Sequence, residues 1–338
     1  MKPGGSITLL PGFLFFCTAF FPSEYNNFEG KERRCFIIFK IGAYYTGRGV
    51  NTGSYSVWIE QREKLAHTYP AWLEVDGAGM ITGWPAFELR SEMKEFSIIP
   101  LVSIRNFSRE EAEKFLLNPK AQKKARDELK EACNALGWNG INLDIEGVAP
   151  HRRKNFNDLV EYFAEEPGFL SLSVPAKTAD SPDHPWSGAY DYKALGQLAG
   201  EIIIMAYDFH YPGGPPGPVA PLPWVEEVLR YAQREIPEEK IRLGLPGYGY
   251  HWPEKGRASG VSYHQIKKLA DRESLKRHWC PESSSPFLIR GRERIWYEDK
   301  ESLKKKIELG KNFCSGGVLW RLGLEDPRFW EYFWRRGG

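Results

Sequence analysis

Apolar and polar residues alternate strictly along Asn139-Gly140-Ile141-Asn142-Leu143-Asp144-Ile145-Glu146. On a strand, Ile141, Leu143 and Ile145 share one face, and Asn142, Asp144 and Glu146 share the other. Helical periods on either side predict a parallel sheet covered on both faces, so the acid and amide side chains turn toward an interior instead of toward water. Two carboxylates two residues apart then lie roughly 6–7 Å from each other. In a desolvated place, like charges raise the pKa of one partner and keep it protonated near neutrality.

Apolar runs of strand length recur at Cys35–Tyr45, Thr68–Val75, Phe96–Ile104, Phe169–Pro175, Glu201–Asp208, Ile241–Tyr250 and Gly317–Arg321. Helices are predicted between them, over Ser54–Ala66, Glu88–Lys94, Pro119–Leu136, Asn155–Glu165, Tyr192–Leu198, Leu222–Glu235 and Ser302–Leu309. Ser108-Arg109-Glu110-Glu111 reads as a capping box, and Gly137 as the C-cap of the long helix before it. Residues 251–300 are less regular, with a helix near Tyr263–Leu269 and a strand near Arg294–Tyr297, and have the length of a small insert between strands seven and eight. A last helix is predicted from Pro327.

About eight strand–helix units, with no Gly-rich phosphate loop after the first strand, fit the closed (β/α)8 or TIM barrel, an α/β fold, better than a dinucleotide fold. Active sites of such barrels lie at the C-terminal ends of the strands. Tyr45, Trp72, Asp144, Glu146, Tyr207, Asp208, Tyr248, Tyr250 and Trp320 fall there, with His210 and Tyr211 on the loop that follows strand six.

Composition changes this picture little. A net charge of +2 without a long single-sign run gives no footing for nucleic acid. Aromatics at 14%, including 12 Trp, serve core packing or form stacking platforms for sugar rings. The five cysteines, Cys17, Cys35, Cys133, Cys280 and Cys314, form neither a disulfide framework nor a zinc pattern, and the seven histidines show no ligand spacing. No metal and no cofactor is expected. At the N-terminus, Lys2 precedes an apolar run from Ile7 to Phe21, broken at Pro11-Gly12. It reads as a poor secretory signal or as an extension outside the fold, and is too interrupted for a spanning helix. Residues 1–38 are therefore set apart from a catalytic barrel of residues 39–338, expected to be a monomer.

With these residues in view, the chain resembles glycoside hydrolase family 18, the chitinase-like barrels. Asn139 to Glu146 is similar to that family's D-G-x-D-x-D-x-E signature, Met205-Ala206-Tyr207-Asp208 matches its M-x-Y-D, and Leu245-Pro-Gly-Tyr-Gly-Tyr250 resembles its seventh-strand segment. Trp320 falls where the family keeps a Trp under the sugar. Pro218-Val-Ala-Pro-Leu-Pro-Trp224 and Ile295-Trp-Tyr-Glu-Asp299 resemble the spore-germination branch, which includes cortex-lytic N-acetylglucosaminidases. Two positions depart from the signature: Asn139 and Asn142 stand where it has Asp, which removes negative charge expected near Asp144.

The resemblance implies substrate-assisted retaining hydrolysis, outside the usual two-carboxylate scheme. Glu146 protonates the leaving oxygen and Asp144 orients the substrate's 2-acetamido group. Tyr207 bonds the acetamido carbonyl. Asn142, Asp208, Tyr45, Trp72, Tyr248 and Trp320 are expected to bind substrate. The expected partner is an N-acetylglucosamine-containing polysaccharide, peptidoglycan of the spore cortex first and chitin next, met outside the cell or in its envelope. The rival reading is a sugar-binding barrel without catalysis, which would keep the aromatics and lose the acid.

Overall fold

The computed structural model describes residues 39–165 and 169–333, so the signal-like segment, Cys17 and Cys35 lie outside the described residues. In chain order the elements begin β1 (Lys40–Tyr45), α1 (Tyr55–Gln61), β2 (Thr68–Val75), β3 (Ile81–Thr82), α2 (Phe87–Met93), β4 (Leu101–Ile104), α3 (Arg109–Leu116), α4 (Pro119–Leu136) and β5 (Gly140–Asp144). Then come α5 (Arg153–Ala164), β6 (Phe169–Pro175), α6 (Tyr192–Leu198), β7 (Glu201–Met205), α7 (Leu222–Glu235), β8 (Ile241–Pro246) and β9 (Tyr248–Trp252). The chain continues through β10 (Ser259–Ser262), α8 (Tyr263–Glu273), β11 (His278–Cys280), β12 (Ser285–Arg290), β13 (Glu293–Tyr297), α9 (Lys300–Gly310) and β14 (Gly316–Trp320). It ends in a 3-10 helix, Pro327–Phe333, where an ordinary helix is predicted.

Eight parallel strands run in the order β1, β14, β8, β7, β6, β5, β4, β2, and β1 also pairs with β2, which closes the barrel. Helices between the strands cover the outside. Strand alternation therefore sorts side chains between two apolar volumes. The larger lies between barrel and helices and holds residues such as Leu143, Ile145, Leu172, Ile204 and Leu245. The smaller fills the barrel interior with Tyr44, Tyr69, Ile99, Leu101, Ile203 and Val318. Gly140 opens the central strand at φ +156, and a Cβ there would come within 1.9 Å of the Phe169 carbonyl oxygen, so only glycine lets β5 approach β6 this closely.

Local signals explain most element ends. Asn118 caps α4 by accepting from the Ala121 N–H, Pro119 occupies the first turn, and Gly137 closes it in the left-handed conformation. The predicted box at Ser108 forms only by half. Ser108 accepts from the Glu111 N–H, while the Glu111 carboxylate turns to the Gly77 N–H and Lys114. The stretch from Phe96 to Ile104 contributes a strand only from Leu101, with a single bridge from Thr68 to Ile98 before it.

The predicted strand over Ile241–Tyr250 divides at Gly247 into β8, which stays in the barrel, and β9, which enters a second sheet. That antiparallel sheet, in the order β10, β9, β13, β12, β11, is the insert expected between strands seven and eight. It is more regular than predicted. Helix α8 runs on to Glu273 and packs Ile266 against Leu288, Ile295 and Tyr297. Its cap is a complete box of Ser262 and Gln265.

Candidate active site

The site forms where β5, β7, β8 and β14 end. β5 stops at Asp144, and Glu146 lies just past it. The Tyr190 hydroxyl donates to the Ile145 carbonyl at 2.8 Å and pins this strand end. Asp144 is buried, and its Oδ1 has no hydrogen-bond partner among the described residues. Glu146 is half-buried. Burial, then the Glu146 carboxylate, raises the Asp144 pKa well above the usual range. Burial, then the Asp208 carboxylate, raises that of Glu146 to about 7. Asp144 and Glu146 resist ionising together, and Asp208 adds to the effect on Glu146, so a proton on the pair is favoured near neutrality.

Tyr207 and Asp208 follow β7 directly. Gly244 leaves room for the Tyr207 ring, since a Cβ there would come within 3.0 Å of it. Tyr207 lies edge-on to Tyr248 with ring centres 6.3 Å apart. Asp208 takes a left-handed backbone at φ +59, and the Tyr248 and Tyr250 hydroxyls both donate to its Oδ1. Asp208 is exposed to solvent, yet its carboxyl is crowded by surrounding protein. Crowding raises its pKa, and the two hydroxyls pull it back. Trp320 ends β14, half-buried, with Tyr44 against its edge at 4.9 Å. The peptide joining Trp320 to Arg321 is cis.

Three expected binding residues are placed elsewhere. Tyr45 and Trp72 are 0% and 1% exposed, and both turn toward the helices instead of the barrel mouth. Tyr45 packs edge-on against Trp58 and Trp72, and Trp72 donates Nε1–H to the Gly47 carbonyl. The neighbour Tyr44 takes the interior position expected of Tyr45, because adjacent residues on a strand face opposite ways.

A core role predicts stability effects. Trp72→Ala should cost about 3–5 kcal/mol, as large cavities in cores do. Tyr45→Phe should match or exceed the wild-type Tm, because the buried Tyr45 hydroxyl has no partner to lose. Thermal melts of both variants test this. A Tyr45→Phe variant that melts well below wild type would refute the assignment.

Asn142, also expected to bind substrate, is fully buried and has both its polar atoms bonded within the barrel. Its Oδ1 accepts from Ser173, and its Nδ2 donates to Ser171. Ser171 in turn donates to Glu201 at 3.0 Å, and the Tyr69 hydroxyl does so at 2.5 Å. Since the Ser173 proton is committed to Asn142, Tyr44 donates to Ser173. Every donor in the chain from Tyr44 through Ser173, Asn142 and Ser171 thus points toward Glu201, whose charge Arg242 meets at 2.9 Å. Aligned bonds of this kind reinforce one another at low dielectric.

Asn139 lies at the other end of the strand. Its Oδ1 accepts from the Ile98 N–H, so it joins strands below the barrel and bears no relation to the charge of Asp144, ~16 Å along the strand. His210 is a loop residue, its Nδ1–H donating to the Pro218 carbonyl, and Tyr211 is exposed on the same loop.

Cys133, Cys280 and Cys314 are free thiols. Among the described residues no group of three His, Cys, Asp or Glu is placed to hold a metal, and no helix is long and apolar enough to cross a membrane.

The family model for glycosyl hydrolases family 18 matches residues 40–325. The chain belongs to that family. As a family 18 glycoside hydrolase it is 30% identical over 241 residues to the uncharacterized glycosylase YvbX of Bacillus subtilis, covering 68% of this chain and 70% of the relative. It is 28% identical over 297 residues to the cortical fragment-lytic enzyme of the same organism, covering 80% and 69%. Among solved structures, the spore cortex-lytic enzyme SleL of Bacillus megaterium superposes with a TM-score of 0.78 at 26% identity, covering 87% of this chain and 73% of that one. A chitinase from Chromobacterium violaceum gives 0.80 at 28%, covering 88% and 98%. Within family 18, the residues read from its motifs that gather at this site are Asp144, Glu146, Tyr207, Asp208, Tyr248 and Trp320. Of the inward row Tyr44, Ser171, Ser173 and Glu201, only Ser171 and Ser173 show in the sequence as polar residues alternating with apolar ones, on the fifth barrel strand; Tyr44 and Glu201 sit on strands without such alternation.

Proposed function

We propose that this glycoside hydrolase cleaves β-1,4 bonds that follow N-acetylglucosamine, with retention, using the substrate's own acetamido group as nucleophile. The observation that carries this reading is the orphaned Oδ1 of Asp144. A buried carboxylate oxygen without a donor costs about 1–3 kcal/mol, a cost that a substrate N–H relieves. Glu146, whose pKa is raised to about 7 so that a large fraction is protonated near neutrality, gives its proton to the glycosidic oxygen as the acetamido oxygen attacks the anomeric carbon. The C–O bond to the leaving sugar breaks, and an oxazolinium ion forms. Asp144 accepts the acetamido N–H and balances the positive charge, while Tyr207 donates to the acetamido oxygen. Glu146, now ionised, takes a proton from the water that opens the ring.

Peptidoglycan is the favoured polymer because curated relatives carry the names cortical fragment-lytic enzyme and sporulation-specific glycosylase. The place of action is then the envelope or spore exterior. Chitin is the second reading, favoured by the likeness to the Chromobacterium chitinase over 98% of that chain. Turnover of peptidoglycan glycan and of chitooligosaccharides separates them. A thiazoline analogue of N-acetylglucosamine imitates the cyclic intermediate and is expected to inhibit competitively. An active enzyme indifferent to it does not use the acetamido group. If both polymers bind and neither is cut, the protein is a lectin.

A further inference from the structure

Arg321 follows Trp320 at the mouth of the barrel and has no role in the chemistry above. It is half-buried. One guanidinium nitrogen donates to the Thr46 hydroxyl at 2.6 Å, just past the end of β1. Among the described residues its remaining N–H groups have no hydrogen-bond partner, and no carboxylate forms an ion pair with it. Among the described residues Glu325 alone bears on it electrostatically, and that carboxylate is already engaged. Its Oε1 accepts from Trp330 Nε1 and its Oε2 from the Gly323 N–H, each at 2.7 Å. Burial destabilises the Arg321 cation more than Glu325 supports it. Arg321 does not serve the acids either, since the shifts of Asp144 and Glu146 trace to burial and to other carboxylates. A desolvated guanidinium with spare donors, beside a tryptophan at the strand ends, is suited to a carboxylate brought by the ligand.

Strand order places this cation. β14 is diametrically opposite β5 in the closed barrel. Glu146 protonates the leaving sugar on the β5 side, so Arg321 faces the sugar on the far side of the one seated on Trp320. Chitin is neutral at every residue. Peptidoglycan glycan carries a D-lactyl ether on each muramyl residue, next to every N-acetylglucosamine; its carboxyl is a free carboxylate where no stem peptide is attached and a neutral amide where one is. We propose that Arg321 binds the free D-lactyl carboxylate of a peptide-free muramyl residue preceding the cleaved N-acetylglucosamine, and so distinguishes peptide-free peptidoglycan glycan from chitin and from glycan whose lactyl groups are amidated. The inference rests on the glycosidase reading of the same site.

The test uses a peptide-free tetrasaccharide of alternating N-acetylglucosamine and N-acetylmuramic acid, the same glycan with its carboxylates amidated, and chitotetraose. Wild type is expected to favour the acidic glycan over its amide in kcat/KM by roughly 10-fold or more, as one charge-assisted bond requires. Arg321→Gln should bring that ratio close to one, and Arg321→Lys should restore part of it. A wild type that does not discriminate, or an Arg321→Gln enzyme that still does, overturns the proposal while leaving the glycosidase reading intact. If none of the three glycans is cut, that reading fails. Calorimetric binding of the acidic and amidated tetrasaccharides to wild type and Arg321→Gln then decides the role of Arg321: a preference lost in the variant sustains it, and equal binding refutes it.

Discussion

Glu146→Gln is expected to lower kcat by about 10²–10⁴-fold, the usual contribution of a positioned general acid and base, with little change in binding of uncleaved glycan. Glutamine keeps the shape and a hydrogen-bond donor but has no proton to give. Wild-type activity should also fall on the alkaline side near pH 7, because only protonated Glu146 can begin the reaction. Stability should move with the same group. A carboxyl whose pKa is raised by folding binds more protons folded than unfolded between its ordinary value and about 7, so stability is lost as pH rises through that window. Glu146→Gln removes this cost. Its Tm should therefore exceed wild type at pH 8 by more than at pH 5, the gain tempered because Glu146 is partly open to solvent. Loss of activity together with a lower Tm at every pH would point to misfolding and would leave the proton-donor role unsupported.

What could be read from the chain divides along a physical line. The alternation around Asp144 and the positions of the motif residues survive in the fold, because they depend on strand period and on helices that cover both faces. Tyr44 and Tyr45 are chemically alike in sequence, and only the packing of β1 against its neighbours decides that Tyr44 enters the barrel while Tyr45 meets Trp58 and Trp72. The same holds for Trp72. The insert escaped a regular reading because its strands are three to six residues long and find partners far along the chain, as Trp252 does with Arg294. Asn139 looked like a departure near the acids, yet its side chain completes the start of β5 by accepting from Ile98. The polar row joins the consecutive strands β5, β6 and β7, but Tyr44 on β1 and Tyr69 on β2 reach it across the barrel from strands far away in sequence, so no local pattern contains the whole row.

Asp144→Asn is expected to lower kcat by about 10²–10³-fold, the cost of removing one preorganised electrostatic contact to the reacting group. The substitution is nearly isosteric, so the effect is electrostatic. An amide can no longer balance the charge of the cyclic intermediate, and either its N–H₂ or its weaker carbonyl must face the acetamido N–H. No local group can compensate. Asn142 below has both of its polar atoms committed to Ser171 and Ser173, and Asp208 is held by Tyr248 and Tyr250. Folding should not suffer, because a buried carboxyl with an unsatisfied oxygen is replaced by a neutral group, and Tm should hold or rise at pH 7. Thiazoline affinity separates this role from a general weakening of the site. It should fall in Asp144→Asn together with kcat, since the thiazoline ring nitrogen imitates the intermediate by taking up a proton in the site, and that proton and its charge are what Asp144 meets. If kcat falls while thiazoline binding stays intact, Asp144 acts through Glu146 alone. The acetamido contact that its orphaned oxygen implies would then have to be abandoned.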